Sequence, residues 1–530
     1  MSDTRKAQNF IQGTALLTLA TLVVKFLGVL YKVPMNHIIG EQGFGYFNTA
    51  YDIYNVLLMI STAGLPVAMS RMISQAGSLG NFNQVRRIYV TARAIFLALG
   101  LGGTLLMTVF CRELAVFLNQ PDAWAAIGCL GPCVLLVCVM STHRGYFQGL
   151  SNMIPTSVSQ VIEALVKLAV GIPLAILVYR ATASIPLAAG GAILGVTASC
   201  IASTIYLLSV FHRSSEALPA SDDQVRSYKD TVKGLLTIAI PITFGSAALQ
   251  IFTMLETKIY MGQLLRLGYS QQNADVMRGI YAMAQTIFAL PCALTTPMAI
   301  SLIPSITRSL TMCREAAAKA TEEASIRITG LMGMPCTIGL VLLAEPIMGL
   351  IGGYQGENLR LATALMMILA LSVIFNGIVT VTTAILQAHG FAVRAMMNML
   401  VGGVLNLIGV YLLTGNPHIH IMGTSLGILL CYSSITVVNL FSMRSMLGQA
   451  PVVVSNLVPS FLSSAVMGAV VFAVLTALRS LGLGWGIQCV LCIAVGVVSY
   501  LIAAVKLKAI TKADCLLLPK GAKIAKLLKL

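Results

Sequence analysis

The chain has 530 residues, of which 57% are hydrophobic and only 10% are charged. Soluble proteins carry about 45 to 50% apolar residues, so this composition excludes a soluble protein and indicates one that crosses a membrane many times. The formal net charge of +16 is explained by basic cytoplasmic loops, and we expect no nucleic-acid partner.

Apolar stretches of about 20 residues, the length that crosses a bilayer, recur along the whole chain. We therefore predict an all-α polytopic membrane protein with about fourteen transmembrane helices. Their cores lie at residues 10–35, 46–70, 88–110, 124–146, 156–179, 186–210, 234–260, 279–304, 326–344, 359–387, 395–414, 421–443, 458–478 and 484–505.

The basic residues indicate the orientation of these helices. Most lysines and arginines fall in one alternate set of the predicted loops and in the C-terminal tail. Because short cytoplasmic loops hold the excess of basic residues, we place both termini in the cytoplasm.

Two short motifs indicate an internal repeat. LPVAMS (Leu65–Ser70) is echoed by TPMAIS (Thr296–Ser301), and Gln148 and Gln387 each follow an apolar helix. Since six spans restore the starting side, the echoes predict two parallel six-helix halves. The predicted domains are an N-terminal lobe at 1–211, a cytoplasmic linker at 212–233, a C-terminal lobe at 234–444, and helices 13 and 14 with a basic tail at 445–530.

Several charged residues lie inside the predicted spans. A charged side chain in hydrocarbon costs at least ~3 kcal/mol, so such residues turn toward a partner or a wet cavity. Four bases and three acids leave this interior positive, which suits an anionic head group such as phosphate. The residues are Lys25, Lys32, Asp52, Glu163, Lys167, Glu256 and Lys258.

Spacing predicts how some of these groups pair. Glu163 and Lys167 are one helical turn apart, which predicts a pair on one face; whether it is structural or also contacts cargo stays open. Glu256 and Lys258 are two residues apart and point to different faces.

Three arginines lie near the inner ends of predicted helices two, three and four. They either add to the positive interior or extend to the cytoplasmic interface. They are Arg71, Arg93 and Arg144.

Motifs of soluble enzymes are missing from the sequence, and we do not expect an enzyme. There is no GxxxxGK[ST], HExxH or GxSxG pattern in a suitable setting. A membrane-embedded glycosyltransferase would need an outer catalytic loop, and the longest predicted one, 261–278, offers only Asp275 as an acid. We also expect no metal site beyond a monovalent cation.

Four segments resemble stage V sporulation protein B and the polysaccharide-biosynthesis flippases. These belong to the multidrug, oligosaccharidyl-lipid and polysaccharide exporter (MOP) superfamily, which includes the lipid II flippases. The segments are GTALLTLATLVVKFLGVLYKVPM, STAGLPVAMSRMIS (Ser61–Ser74), RGYFQGLSNMIPTSVSQVIEALVK (Arg144–Lys167) and LPKGAKI (Leu518–Ile524).

The resemblance implies two lobes around a V-shaped cavity, with helices 13 and 14 forming a groove for a lipid tail. It implies a monomer in the bacterial cytoplasmic membrane that moves a polyprenyl-pyrophosphate-linked saccharide to the outer leaflet by alternating access. Membrane lipids and this substrate are the expected partners. A drug or cation antiporter of the same superfamily, which typically has twelve spans, is the alternative.

The resemblance also suggests roles for individual residues. Lys25 and Lys32 flank the Leu-Gly of the first helix and would meet the pyrophosphate. The full predicted substrate-binding set is Lys25, Lys32, Asp52, Arg71, Arg144, Gln148, Glu163, Lys167 and Lys258.

A coupling ion is the one cofactor that the resemblance suggests. Glu256 matches an acidic position that some relatives use for a cation, and Asn406 and Thr424 would supply further oxygens. Such hard oxygen ligands suit Na⁺ or a proton-linked carboxylate.

One departure concerns the cargo. Helix eight of the lipid II flippases carries an intramembrane arginine, whereas Tyr281–Pro291 is uncharged in this chain. This difference argues against lipid II itself as the substrate.

Overall fold

The computed structural model describes the backbone of residues 2–150, 152–215, 221, 223–448, 453–507 and 509–510. Side chains are described at the same positions except 2–22, 25–26, 214–215, 296–298, 300–301, 304 and 454. Residues 511–530 of the predicted basic tail and the Lys25 side chain therefore lie outside the described residues. All regular secondary structure in the described part is helical, which confirms the all-α prediction.

The chain forms two compact units, Met1–Ala282 and Met283–Leu530. The first contains α1 Ser2–Thr62, α2 Leu65–Ser78, α3 Phe82–Val109, α4 Cys111–Phe117, a 3-10 turn Pro121–Ala123, α5 Trp124–Gly149, α6 Ile154–Thr182, α7 Ile185–Ser215 and α8 Tyr228–Arg266. Helix α9, Gln271–Thr311, begins in the first unit and ends in the second.

The second unit continues with seven helices among the described residues. They are α10 Glu315–Leu342, α11 Ala344–Gly352, α12 Gly356–Ala388, α13 Ala392–Thr414, α14 Met422–Leu447, α15 Val453–Ser480 and α16 Trp485–Lys506. The division into the sequence-predicted lobes at 1–211 and 234–444 stays a prediction.

Within the described residues, 12 helical stretches are long and apolar enough to cross a membrane. One of them, Leu27–Ser78, is 52 residues long, more than twice the roughly 20 residues that one crossing needs. Helix α1 is interrupted at Gly40, which has a φ of +68°. Glycine adopts this value readily because it has no Cβ. The protein is therefore a multi-pass membrane protein.

Helix α5 is the centre of the first unit. It packs against α1, α2, α3 and α7, and α6 packs against α7 and α1. Helix α8 lies against α1 and α2. These contacts bring charged residues of α1, α5, α6, α8 and the start of α9 within reach of one another.

In the second unit, α12 packs against α10, α11 and α14, and α13 packs against α14. The last two spans belong to this unit, because α15 contacts α10 and α16. The Tyr500 hydroxyl of α16 also donates to the Leu331 carbonyl of α10 at 2.7 Å.

The prediction of a long outer loop at 261–278 is wrong. Helix α8 continues to Arg266 and α9 begins at Gln271, which leaves a short turn between them. Asp275, the one acid of that segment, is fully buried and accepts hydrogen bonds from Tyr46, Gln120 and Gln271 at 2.8 to 3.0 Å. Its carboxylate is engaged in packing the start of α9.

Candidate substrate-binding site

A buried ion pair joins α1 to α9 in the first unit. The Arg278 guanidinium lies 2.5 Å from the Asp52 carboxylate, and their side chains are 3% and 11% exposed. The Thr257 hydroxyl of α8 donates to the same Asp52 oxygen at 2.8 Å. Asp52 of α1 thus has partners on α8 and α9, as a charged side chain at membrane depth requires.

Two predicted lysines stand close to this pair. The Lys32 ammonium donates to the Asn48 side-chain oxygen at 3.4 Å, and it is close enough to Asp52, Arg278 and Lys167 to interact with their charges. The Lys167 ammonium lies 5.3 Å from the centre of the Tyr31 ring, a cation–π distance. Both lysines are half-buried.

Glu163 interacts electrostatically with Lys167, as their spacing predicts, but its close ion pair is with another residue. The Glu163 carboxylate pairs with Arg144 of α5 at 3.1 Å, and the Arg144 Nε also donates to the Ser159 hydroxyl at 3.0 Å. Glu163 thus pairs with Arg144 on the neighbouring helix and not with Lys167 one turn away on its own helix. The planar guanidinium favours this choice because it offers several donors in one direction.

Glu256 and Lys258 point in different directions, as their spacing predicts. The buried Glu256 carboxylate accepts a hydrogen bond of 2.9 Å from the Tyr281 hydroxyl of α9. The Lys258 ammonium instead lies 3.6 Å from the centre of the Phe117 ring on α4. Lys258 is thus engaged with an aromatic ring, and Glu256 with the helix that carries Arg278.

These residues form a charged cluster on the first unit, which we call the α1 cluster. It consists of four bases and three acids: Lys32, Arg144, Lys167, Arg278, Asp52, Glu163 and Glu256. In their ordinary charge states these groups leave an excess of positive charge. Lysine and arginine donors match phosphate oxygens, so the cluster is chemically suited to an anionic head group.

The remaining predicted substrate-binding residues make none of these contacts, or their side chains lie outside the described residues. Arg71 is exposed on α2, and Gln148 is half-buried near the end of α5. Lys25 belongs to α1, but its side chain lies outside the described residues. Their roles stay predictions.

Two residues predicted for a cation site lie in the second unit. Asn406 is buried on α13, and its side-chain oxygen faces Gly427 of α14 so closely that a Cβ there would lie 2.7 Å from it. The buried Thr424 hydroxyl donates to the Ile421 carbonyl at 2.7 Å. Glu256 belongs to the first unit, and a common cation site of these three residues stays a prediction.

Sequence reasoning missed Arg278, because a window that rewards apolar residues placed it in a loop. The lone Asp52 in a span was the signal that a buried base had to exist elsewhere. The argument against lipid II also loses its premise: α9 does carry an arginine, one turn before Tyr281.

Two curated relatives cover most of the chain. Stage V sporulation protein B of Bacillus subtilis (strain 168) is 27% identical over 426 residues, which cover 79% of this chain and 81% of that protein. The lipid II flippase MurJ of the same organism is 23% identical over 417 residues, with 76% and 77% covered.

The fold is also found among solved structures. The inward-facing structure of a multidrug resistance MATE family transporter of the MOP superfamily matches with a TM-score of 0.67 and 13% identity. The match covers 82% of this chain and 98% of that one. The model of the polysaccharide biosynthesis protein family matches residues 10–310. Because that match spans more than half of the chain, the protein belongs to the polysaccharide biosynthesis protein family.

Proposed function

We propose that this protein is a flippase that moves a polyprenyl-pyrophosphate-linked saccharide from the inner to the outer leaflet. Membership of the polysaccharide biosynthesis protein family and the likeness to a lipid II flippase support the substrate class. The observation that carries the proposal is the α1 cluster. Its bases outnumber its acids at membrane depth, and such an excess of positive charge is stabilised by a bound anion.

The chemistry of the cluster fits a diphosphate better than a neutral solute. Arg278, which is almost completely buried and paired with Asp52, adds positive charge near two half-buried cations, Lys32 and Lys167. A phosphate approaching these groups exchanges its hydration shell for charge-assisted hydrogen bonds, while the prenyl chain stays in hydrocarbon. The protein makes and breaks no covalent bond in this scheme, so it acts as a transporter and not as an enzyme.

We further propose alternating access as the mechanism and Na⁺ or H⁺ as the coupling ion, with Glu256, Asn406 and Thr424 as its ligands. The location proposed is the bacterial cytoplasmic membrane, with both termini in the cytoplasm and the chain acting as a monomer.

The fold match favours a second candidate, a multidrug or cation antiporter of the MOP superfamily. Helices α15 and α16 correspond to the predicted spans 13 and 14 and argue for the flippase, because the twelve spans typical of an antiporter would not include this pair. Their exposed apolar residues also suit a lipid tail. Deletion of the gene would raise drug accumulation in cells if the antiporter were correct.

The decisive experiment is depletion of the protein in cells that lack a redundant flippase, followed by measurement of the lipid-linked precursor in each leaflet. We expect the precursor to accumulate in the inner leaflet and to return to the outer leaflet when the wild-type gene is restored. An unchanged outer-leaflet pool would overturn the flippase function. Drug accumulation measured in the same cells tests the antiporter.

A further inference from the structure

A groove on the first unit lies between α3 and α7, with α5 as its floor. Both outer helices pack against α5. A cavity of about 160 Å³ lies in this groove. It is lined by Arg93 and Leu97 of α3, by Val139, Thr142 and His143 of α5, and by Leu208 of α7. We call it the α3–α7 groove.

One end of the groove is closed by aromatic rings. Tyr89 of α3 stacks on Phe211 of α7 with ring centres 4.6 Å apart. The His143 and Tyr146 rings meet Phe211 edge-on at 5.1 Å. This contact fixes the spacing of α3 and α7 at their cytoplasmic ends, in the predicted orientation, and leaves the groove open beyond it.

The polar groups on the floor are already satisfied by the protein. The His143 Nδ1 lies 2.7 Å from the Val139 carbonyl and so donates to it, which leaves Nε2 to accept from the Tyr89 hydroxyl at 3.2 Å. The Thr142 hydroxyl donates to the Cys138 carbonyl at 2.9 Å. The cavity therefore offers an occupant an apolar surface and a single charged group, the Arg93 guanidinium.

Arg93 lies within the hydrocarbon core, toward its cytoplasmic side in the predicted orientation. It is about three turns, roughly 16 Å, from the first residue of α3, and the 28-residue helix is about 42 Å long. A hydrocarbon core of about 30 Å leaves roughly 12 Å of helix outside, so even with all of it at the cytoplasmic end the Arg93 backbone is roughly 4 Å inside hydrocarbon. Its long side chain extends toward the headgroup level, where an anion compensates its charge.

The protein supplies no carboxylate for this charge among the residues that the structure describes. The side chain of Arg93 is exposed, and the ion pairs of the described residues do not include it. Its polar neighbours are Tyr89, with which it shares a hydrogen bond, and His143. Both are neutral partners in their ordinary states, so an anion from outside the chain would compensate the charge that the described carboxylates leave unpaired.

Exposed apolar residues continue the walls of the groove away from the aromatic end. Leu101 and Leu105 follow Leu97 at intervals of one turn on α3, and they share its face. Ile201 and Ile205 precede Leu208 on α7 and are likewise exposed. An extended hydrocarbon chain would lie along this path in the direction that leads away from Arg93.

From this geometry we propose that the α3–α7 groove binds an anionic glycerophospholipid of the bilayer. Its phosphate pairs with Arg93, and part of one acyl chain fills the cavity beside Leu97, Val139 and Leu208. The volume suits this occupant, since a dry cavity of about 150 Å³ accepts a benzene-sized apolar group. The site is separate from the α1 cluster and does not rest on the flippase function.

The test uses the full chain, purified and delipidated in mild detergent, and native mass spectrometry with added lipid. We expect phosphatidylglycerol to bind in preference to phosphatidylcholine. Arg93→Gln should weaken phosphatidylglycerol binding by about tenfold or more, because it removes a charge-assisted contact. Arg86→Gln is the matched control: it lies on the same helix, is exposed, does not line the cavity, and should leave binding unchanged.

Filling the cavity tests the acyl chain. Leu97→Trp should weaken binding of phosphatidylglycerol, and Leu208→Phe serves as a milder second variant if the first does not give a monodisperse protein. The proposal fails if Arg93→Gln binds phosphatidylglycerol as the wild type does, or if Arg86→Gln weakens binding equally. It also fails if a polyprenyl phosphate displaces phosphatidylglycerol at lower concentration, since the groove would then be a substrate site.

Discussion

Asp52 and Arg278 form an ion pair of 2.5 Å between α1 and α9, and the arginine side chain is almost completely buried. The pair has a third member, because the Thr257 hydroxyl donates to the same carboxylate oxygen. The pair therefore holds α1, α8 and α9 together at a point where charge without a partner would be costly.

The first prediction concerns the stability that this pair provides. Arg278→Gln should destabilise the protein by about 3 to 5 kcal/mol, because it leaves the buried Asp52 carboxylate without its base. Thermal unfolding of the purified protein in detergent measures the effect. Asp52→Asn should also be destabilising, and the double variant should lose less than the sum of the two.

Arg479→Gln is the control for this series. Arg479 pairs with Glu345, but both side chains are well exposed at 45% and 39%. Exposed pairs contribute about 0 to 1 kcal/mol, so this variant should unfold close to the wild-type temperature. Equal losses of thermal stability for Arg278→Gln and Arg479→Gln would show that the buried Asp52 pair stabilises the protein no more than the exposed one.

Hydropathy predicted most of the helices because the bilayer imposes a length of about 20 apolar residues on each span. The same rule misplaced Arg278. A charged residue lowers the window average, whereas the folded chain accepts it when an acid from another helix compensates it. The pairing of Arg278 with Asp52 links residues far apart in sequence, and a local pattern holds no information about it.

The Glu163 contact illustrates a second limit. The spacing of Glu163 and Lys167 correctly identified residues of one helical face, but the observed partner of Glu163 is Arg144 on α5. Helix packing decides between a partner on the same helix and one on a neighbour. Six of the seven residues of the α1 cluster, all but Arg278, were thus predictable, while their pairing required the arrangement of the helices.

The second prediction concerns the lysines of α1. Lys32→Gln should abolish transport at a normal protein level, because it removes a cation from the α1 cluster, and Lys32→Arg should retain part of it. Lys25→Ala should also lose transport. The leaflet distribution of the lipid-linked precursor is the measurement.

Lys229→Gln is the control for these variants. Lys229 is exposed at the start of α8, so this variant should transport normally. Full transport by Lys32→Gln would contradict the prediction and would show that Lys32 is structural.

The third prediction concerns coupling to an ion. Glu256→Gln should remove any dependence of transport on the Na⁺ or proton gradient, because the neutral amide lacks the negative charge that a cation requires. Tyr281→Phe removes the hydroxyl that donates to Glu256 at 2.9 Å but keeps the carboxylate. It should shift the ion dependence and not abolish it. An ion dependence that survives Glu256→Gln would exclude this residue as the coupling site.

The fourth prediction concerns pH and a contact outside the membrane spans. Asp223, in the segment between α7 and α8, accepts hydrogen bonds from the backbone N–H groups of Asn83 and Gln84 at 3.1 and 2.9 Å. These are donors of the first turn of α3, so a carboxylate more than a hundred residues away caps this helix. The Ser221 hydroxyl donates to the same carboxylate.

These contacts decide how the pKa of Asp223 changes on folding. Desolvation alone raises it, but the hydrogen bonds from Ser221, Gln84 and Asn83 outweigh desolvation, and the pKa of Asp223 is lowered from its ordinary value. A carboxyl group with a lowered pKa stabilises the folded state fully above its unfolded pKa, which is about 3.9 for aspartate. That contribution is lost as the pH falls through the lower, folded value.

The pH dependence follows from this sign. Wild-type protein should show slower amide exchange at Asn83 and Gln84 than Asp223→Asn at neutral pH, because the charged acceptor binds two backbone donors. The difference in thermal midpoint between the two proteins should be constant from pH 7 to about pH 5 and should shrink at pH values below about 4. Asp230→Asn, an exposed carboxylate at the start of α8, is the control and should leave exchange at α3 unchanged. A difference that grew on acidification would contradict the assigned sign and would mean that the Asp223 carboxylate opposes, rather than stabilises, the first turn of α3.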